Sequence, residues 1–144
     1  MKVLIDADGC PVVKQATQIA KENNIEVAIF CDTSHIINSD YAEVVTVSKG
    51  ADSVDFALVN KVQSGDIVIT QDYGLAAMVL SKGGKAITQN GMIISDSNLG
   101  LLLTTRYGSK KARMSGAHLK GPKKRSAQND EEFVKSFKSM LNAD

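Results

Sequence analysis

Aspartate residues follow several short hydrophobic runs of this sequence, and carboxylates can act as acids, bases or metal ligands. Asp6 and Asp8 come at the end of the first run, Asp52 and Asp55 follow a later one, and Asp72 follows another. If the runs are strands of a mostly parallel sheet, binding sites form in the crevice beyond their carboxyl ends. Carboxylates from distant parts of the chain would meet there and repel one another, so the site would require a bound cation. The first hypothesis is therefore a metal-dependent enzyme.

Each of these carboxylates also has a purely structural interpretation. Asp8 could occupy a turn or cap a helix before Pro11. Asp52 and Asp55 are three residues apart at a predicted helix start, where acidic residues are common because they stabilise the helix dipole. Asp72 precedes a helix and could be its N-cap. The functional interpretation rests on finding all of them at one edge of the predicted sheet.

Other catalytic patterns have little support. The chain contains no Gly-x-Gly-x-x-Gly, phosphate-binding P-loop or Gly-x-Ser-x-Gly motif. Neither of its two histidines has a spacing that indicates a zinc site or a catalytic triad, and Cys10 is expected to be a small packed residue. Thr70 and Gln71, just before Asp72, could orient a water or a phosphate, or could simply complete a turn.

Strands and helices that alternate along the sequence must position these residues. Short β-branched runs indicate strands, and apolar residues at helical spacing indicate helices. Asn90-Gly91 is typical of a hairpin turn. The predicted strands are Lys2–Asp6, Glu26–Cys31, Val44–Val47, Asp66–Thr70, Lys85–Thr88 and Met92–Ile94. The predicted helices are Pro11–Asn23, Ser53–Gln63, Leu75–Lys82, one from Ser95 or Asp96 through Leu99–Thr105, and Asp130–Leu141.

This alternation predicts a single α/β domain over residues 1–144, with three layers (α/β/α) and a mostly parallel central sheet. A length of 144 residues and a hydrophobic content of 43% are sufficient for one core. No stretch reaches the roughly 18 apolar residues of a membrane span, and the first residues do not resemble a secretory signal. Two cysteines are too few for a disulfide framework, so we expect a cytoplasmic protein that does not contact a membrane.

A basic segment follows a first part of the chain in which acidic residues outnumber basic ones. Residues 106–125 carry eight Lys or Arg and no acidic residue, whereas residues 1–105 carry seven Lys or Arg and 12 acidic residues. Gly and Ser between the basic residues predict a mobile arm over about residues 106–128 that binds phosphates. The alternative is an ordinary solvated loop. The candidate nucleic-acid contacts are Arg106, Lys110, Lys111, Arg113, Lys123, Lys124 and Arg125.

Three motifs resemble those of a known bacterial family. They are Asp-Ala-Asp-Gly-Cys-Pro-Val at residues 6–12, Gly-Ala-Asp-Ser-Val-Asp at residues 50–55 and Thr-Gln-Asp-Tyr-Gly-Leu-Ala at residues 70–76. In this order, and at fitting separations, they resemble the signatures of the YaiI/YqxD family. Gly9 stands where that family usually has Ala, and residues 116–129 follow its tail only loosely. The family is similar to PIN-like domains, which are commonly metal-dependent ribonucleases.

The resemblance implies a PIN-like nuclease. Asp6, Asp55 and Asp72 would be ligands of Mg²⁺ or Mn²⁺, directly or through water, while Asp8 and Asp52 would complete the catalytic site. A water activated by the cation would attack a phosphodiester. By the same analogy the favoured substrate and partner is single-stranded RNA. The residues do not indicate an oligomeric state.

Two alternatives remain open. Residues 4–9 also resemble the Asp-x-Asp opening of haloacid-dehalogenase-type phosphatases, in which Asp6 would be the nucleophile and Asp8 a general acid. Cys10 and Pro11 stand where that pattern expects Thr or Val, and the chain is short for such a fold with a cap. The chain could instead be a PIN-like module that binds RNA or a protein without cutting it.

Overall fold

The computed structural model describes residues 1–50, 53–104 and 125–142. The strands are β1 (Lys2–Asp6), β2 (Glu26–Asp32), β3 (Glu43–Val47), β4 (Ile67–Ile69), β5 (Lys85–Ile87) and β6 (Ile93–Ile94). The helices are α1 (Val13–Glu22), α2 (Ser53–Lys61), α3 (Tyr73–Ser81), α4 (96–104) and α5 (Ala127–Asn142). None of the helices in these ranges has the length and apolar character needed to cross a membrane.

The six strands form one sheet in the order β3-β2-β1-β4-β5-β6. All neighbouring pairs are parallel except β5 and β6, which form an antiparallel hairpin. From β1 the chain adds β2 and β3 on one side, then returns to add β4 and β5 on the other. The order therefore reverses between β1 and β4, and an open α/β sheet offers a crevice at such a point, beyond the carboxyl ends of the strands.

Helices cover both faces of the sheet, as the three-layer prediction requires. On one face Val3 and Ile5 of β1 belong to a buried cluster with α1 and α5. On the other face Leu4 packs in a cluster with α2 and α3, while α4 packs beside α3 over β5 and β6. Alternate residues of a strand point to opposite faces, so a strand covered on both sides is apolar throughout. The fully buried centres of β1 and β4 follow this pattern.

Helix α1 begins at Val13, later than the predicted start at Pro11. The chain first turns after β1, where the Cys10 N–H donates to the Ala7 carbonyl (3.1 Å) and Gly9 has a φ of 67°. This turn delays the helix, so Pro11 precedes it instead of occupying its first position. Asp8 lies within this turn, directly after β1.

The hairpin predicted at Asn90-Gly91 is confirmed. The Gly91 N–H donates to the Thr88 carbonyl (3.0 Å), and Gly91 has a φ of 89°. A Cβ at this position would lie 2.6 Å from the Glu132 carbonyl oxygen of α5. Glycine is therefore needed both for the backbone conformation and for the close approach of α5.

Helix α5 begins at Ala127, about one turn before the predicted Asp130. The Ser126 N–H donates to Asn129 Oδ1 (3.0 Å), which is one half of a capping box formed with Asn in place of Glu or Gln. Ala127 and Gln128, predicted to belong to the mobile basic arm, are thus helical. The rest of that arm up to Lys124 lies outside the described residues.

Candidate carboxylate site

A crevice of about 400 Å³ lies at the carboxyl edge of the sheet. Its walls come from the ends of β1, β2 and β4 and from the first turn of α2. The carboxylates that line it are Asp6, Asp8, Asp32, Asp55 and Asp72. The structure therefore brings together four of the five aspartates predicted from the sequence. The fifth, Asp52, lies outside the described residues.

Asp6, the last residue of β1, is held by the neighbouring strand. The Thr70 hydroxyl, directly after β4, donates to Asp6 Oδ2 (2.9 Å). Thr70 is 2% exposed. Because β1 and β4 are adjacent, residues 64 apart in the sequence meet at the reversal point of the sheet. The hydrogen bond fixes the orientation of the Asp6 carboxylate.

The surroundings raise the pKa of Asp6 above its ordinary value. Burial is the largest cause, and the nearby charges of Asp72 and Asp8 add to it. The Thr70 hydroxyl and the Asp8 backbone N–H oppose the rise by donating to the carboxylate. Ionised Asp6 is therefore poorly accommodated by the protein atoms alone, and a cation beside it would relieve the repulsion.

Asp72 has the N-cap role considered from the sequence, and its carboxylate also lines the crevice. It is the N-cap of α3, since its Oδ1 accepts from the backbone N–H groups of Gly74 (2.9 Å) and Leu75 (3.2 Å). Its own N–H donates to the Thr70 hydroxyl oxygen (3.0 Å). Thr70 thus links Asp6 and Asp72. Capping fixes the Asp72 carboxylate at the crevice wall and does not exclude a functional role.

Asp55 lies in the first turn of α2. It lines the crevice opposite Asp6 and Asp72, together with Gly50 and Ser53. Its position near the helix N-terminus stabilises the ionised carboxylate, because the helix dipole is positive there. Of the three predicted ligands, Asp6 ends strand β1 and Asp72 follows strand β4, whereas Asp55 is provided by helix α2.

Asp32 was missed from the sequence. It ends β2 as Asp6 ends β1, and this parallel position is the signal that could have identified it. Its Oδ1 accepts from the backbone N–H of Ser34 (2.8 Å) and from the Ser34 hydroxyl. These bonds, together with a smaller effect of His35, lower the pKa of Asp32, so it is ionised more readily than Asp6, whose pKa is raised.

His35 connects two of the carboxylates. Its Nε2 lies 3.5 Å from Asp8 Oδ1, and its Nδ1 lies 3.3 Å from Asp32 Oδ1. The Asp8 side chain is otherwise 65% exposed. This contact draws the turn after β1 and the connection after β2 together. His35 thus has a positioning role that its spacing in the sequence did not indicate.

Gln71 contributes an amide to the wall of the crevice. Its Oε1 accepts from the Gln89 backbone N–H (3.0 Å). On the opposite side of the same residue, the Gln89 carbonyl accepts from Arg125 Nη2 (2.8 Å). With its oxygen occupied, the Gln71 amide group offers N–H donors, in contrast to the carboxylates around it.

Arg125, a predicted nucleic-acid contact, is engaged with protein atoms. Its Nη2 lies 2.7 Å from Asp130 Oδ1, and its Nη1 donates to Asn90 Oδ1 (2.6 Å). It anchors the start of α5 to the hairpin, and binding a phosphate would require exchange of these bonds. The other predicted contacts lie outside the described residues; they are Arg106, Lys110, Lys111, Arg113, Lys123 and Lys124.

Cys10 is half-buried beside the crevice. It lines a small cavity of about 30 Å³ with Asp6, Asp8 and Gln71. Burial raises the pKa of its thiol, and the nearby Asp6 charge adds to the effect. The thiol therefore stays protonated at neutral pH, as suits the packed residue predicted from the sequence.

The donor set is compatible with a hydrated hard cation. In the parts of the chain that the structure describes, no three His, Cys, Asp or Glu side chains lie close enough together to enclose a metal ion. Mg²⁺, however, usually keeps several waters and contacts only one or two carboxylates. The crevice has room for such an ion, and Asp6, crowded by Asp72 and Asp8, would gain from it.

Comparison with known proteins identifies the relatives of the chain. A model of the uncharacterised YaiI/YqxD family matches residues 4–143. A UPF0178 protein of Clostridium acetobutylicum is 46% identical over 143 residues, which cover 98% of this chain and 97% of that protein. A UPF0178 protein of Ruminiclostridium cellulolyticum is 50% identical over 137 residues, covering 95% and 90%. No solved structure matches. The resemblance of the three motifs is thus confirmed, and the chain belongs to the YaiI/YqxD family.

Proposed function

We propose that this protein is a metal-dependent nuclease that cleaves RNA phosphodiesters, with a PIN-like arrangement of carboxylates. The observation that supports it best is the convergence of Asp6, Asp55 and Asp72 on one crevice at the reversal point of the sheet. These three residues would hold Mg²⁺ or Mn²⁺, directly or through the waters that the cation keeps. When bound, such a cation neutralises charge on a phosphodiester and eases the deprotonation of a water.

The remaining residues of the crevice have complementary roles in this proposal. Thr70 orients Asp6 through its hydroxyl and Asp72 through the backbone N–H of that residue. Asp8 and Asp32, which both contact His35, would be the carboxylates that accept a proton from an attacking water. Asp52 would add a carboxylate next to the first turn of α2.

Gln71 is the neutral donor that a phosphate would require. A phosphodiester entering a wall of carboxylates meets repulsion, and an amide N–H can bind a phosphate oxygen without a change in charge. The bond from the Gln89 N–H keeps the amide in one orientation. We therefore assign Gln71 to the positioning of the scissile phosphate.

The favoured substrate is single-stranded RNA. The basic residues predicted from the sequence, from Arg106 to Arg125, would supply cations for its phosphates. Arg125, the last of these residues, donates to the Gln89 carbonyl, and Gln89 lines the small cavity beside the crevice. Reduced cysteines and the lack of a membrane-spanning helix in the described residues are compatible with the cytoplasm as the proposed location.

The test is incubation of the purified protein with labelled single-stranded RNA and Mn²⁺ or Mg²⁺. We expect cleavage that EDTA abolishes and that Asp72→Asn reduces by at least about 100-fold, the scale of a residue used for positioning or proton transfer. Asn can still accept hydrogen bonds as an N-cap, so the substitution preserves the start of α3. Asp96→Asn, at the start of α4 and outside the crevice, is the matched control.

Other results would redirect the assignment. Salt-sensitive RNA binding without cleavage would indicate a non-catalytic binding module. Release of phosphate from phosphomonoesters, with an aspartyl-phosphate at Asp6, would indicate the haloacid-dehalogenase-type phosphatase. Metal-independent cleavage that survives Asp72→Asn would contradict the proposal.

A further inference from the structure

A second, larger groove lies on the face of the sheet covered by α1. Its volume is about 1280 Å³, and its walls are α1 and the connection between β2 and β3. The lining is partly apolar, including Ile29 and Ile37. At its rim Ile36 is 91% exposed, and its side chain extends the apolar part of the lining to the surface. The groove therefore offers an apolar surface that the described residues leave open.

This groove is continuous with the carboxylate crevice. The small cavity of about 30 Å³ shares the lining residues Asp6, Asp8 and Gln71 with the carboxylate crevice. The same small cavity shares Cys10 with the large groove, which also reaches Ala7 between the two aspartates. A chain-like ligand bound at the carboxylates can thus extend along α1 without leaving the protein surface.

The charge of the groove is opposite to that of the crevice. Lys14 and Lys21 of α1 both line it, and among its described lining residues Asp40 is the acidic one. Lys21 Nζ lies 6.0 Å from the centre of the Tyr41 ring, which holds the ammonium group at the far end of the groove. Residues 1–105 carry more acidic than basic residues, whereas the lining of this groove carries more basic than acidic ones.

We propose that this groove binds the part of a single-stranded nucleic acid that extends from the cleaved bond. The inference rests on the proposed nuclease function and identifies where its substrate lies. Lys14 and Lys21 bind phosphates, while the bases contact the apolar lining and Ile36. At a helical rise of 1.5 Å per residue the two lysines are about 10 Å apart along α1, the length of about three nucleotides stacked at about 3.4 Å.

The test measures binding apart from cleavage. Fluorescence anisotropy of single-stranded RNA of about four and about 12 nucleotides is recorded in EDTA over a range of salt concentrations. The full chain is compared with a Lys14→Gln/Lys21→Gln variant, in which two charges are removed from exposed positions. A Lys135→Gln/Lys138→Gln variant of α5 is the control, because it removes two exposed lysines from another helix.

Loss of two phosphate contacts should reduce the slope of log affinity against log salt by about 1.4 for the longer RNA. The control variant should retain the slope of the unsubstituted protein. In Mn²⁺, the Lys14→Gln/Lys21→Gln variant should show a raised KM for the long RNA, whereas the Lys135→Gln/Lys138→Gln variant should retain the KM of the unsubstituted protein.

An unchanged slope, or an equal reduction in the control, would overturn the proposal, and the groove would then suit a protein partner. This failure differs from a failure of the nuclease function, in which the unsubstituted protein would cleave neither RNA. The anisotropy measurement in EDTA gives its answer in either case.

Discussion

Thr70 provides the most direct test of how the carboxylate site is held together. In Thr70→Val the side chain keeps nearly its shape but loses the bond to Asp6 Oδ2 (2.9 Å) and the bond from the Asp72 N–H (3.0 Å). A hydrogen bond to a charged group contributes about 1.5–3 kcal/mol, and a neutral one about 1 kcal/mol. At neutral pH we therefore expect the free energy of unfolding to fall by about 3 kcal/mol.

The pH dependence identifies the Asp6 bond within this total. The Thr70 hydroxyl lowers the pKa of Asp6, so its removal raises that pKa further above the ordinary value. The extra cost is complete above the raised pKa of Asp6, where its carboxyl is ionised, and is lost as the pH falls through that pKa. Below that pKa the cost should approach that of neutral bonds alone, about 2 kcal/mol.

Thr88→Val is the matched control. Thr88 follows β5 as Thr70 follows β4, is 3% exposed, and accepts from the Asn90 and Met92 N–H groups (3.3 and 3.1 Å). Removing the Thr88 hydroxyl should lower the free energy of unfolding by about 2 kcal/mol both above and below the pKa of Asp6, because the lost bonds are to neutral groups. Urea unfolding in EDTA measures both variants. If their costs change equally with pH, Thr70 does not stabilise ionised Asp6 and the account given for it is wrong.

Three further predictions concern the crevice and its supports. Asp6→Asn should abolish cleavage. In EDTA at neutral pH it should also raise the free energy of unfolding by about 1 kcal/mol, because burial and neighbouring charges raise the pKa of Asp6 and stability falls as the pH rises through that pKa. A lower melting temperature would contradict this. In Gln71→Glu the side chain still accepts from the Gln89 N–H but loses its N–H donors, so the KM for RNA should rise about tenfold while the free energy of unfolding is kept. Gln71→Met loses the acceptor as well, so it should lower both the affinity for RNA and the free energy of unfolding. Equal KM values for Gln71→Glu and the unsubstituted protein would remove the phosphate role. Gly91→Ala should lower the free energy of unfolding by about 3 kcal/mol, because Gly91 has a positive φ and its new Cβ would meet the α5 backbone. Gly65 has a similar φ but open space around it, so Gly65→Ala should lower the free energy of unfolding by about 1 kcal/mol; thermal unfolding measures both variants. Equal costs would show that α5 does not restrict Gly91.

The sequence was sufficient to predict the layers of the fold and the edge that carries the site. Buried strands such as β1 are apolar throughout, and an aspartate at the end of one strand points to the same edge as an aspartate at the end of another. These are local patterns, readable without knowledge of which strands are neighbours. Asp6 and Asp72 were predicted at this edge in this way, and Asp55 was predicted there from its place at the start of the helix that follows a strand.

Other features depend on long-range contacts. The bond from Thr70 to Asp6 joins residues 64 apart and requires that β4 lies next to β1. The position of Arg125, bonded to the Gln89 carbonyl 36 residues away, likewise could not be read from a run of basic residues. Asp32 is a different case, because its position after a predicted strand was visible in the sequence. It was not selected, since a long polar connection follows it instead of a predicted helix.

The packing of α5 has a consequence for how the protein is made. Phe133 and Phe137 of this helix stack on each other (5.3 Å between ring centres), fully buried in the cluster that covers β1 and β4. All six strands, and every described carboxylate of the crevice, precede this helix in the chain and are therefore synthesised before it. Until then the part of this face that α1 does not cover remains open and apolar, the kind of surface that chaperones bind and that aggregates. A chain that ends after β6 would therefore carry all the described carboxylates of the crevice without the helix needed to complete its core.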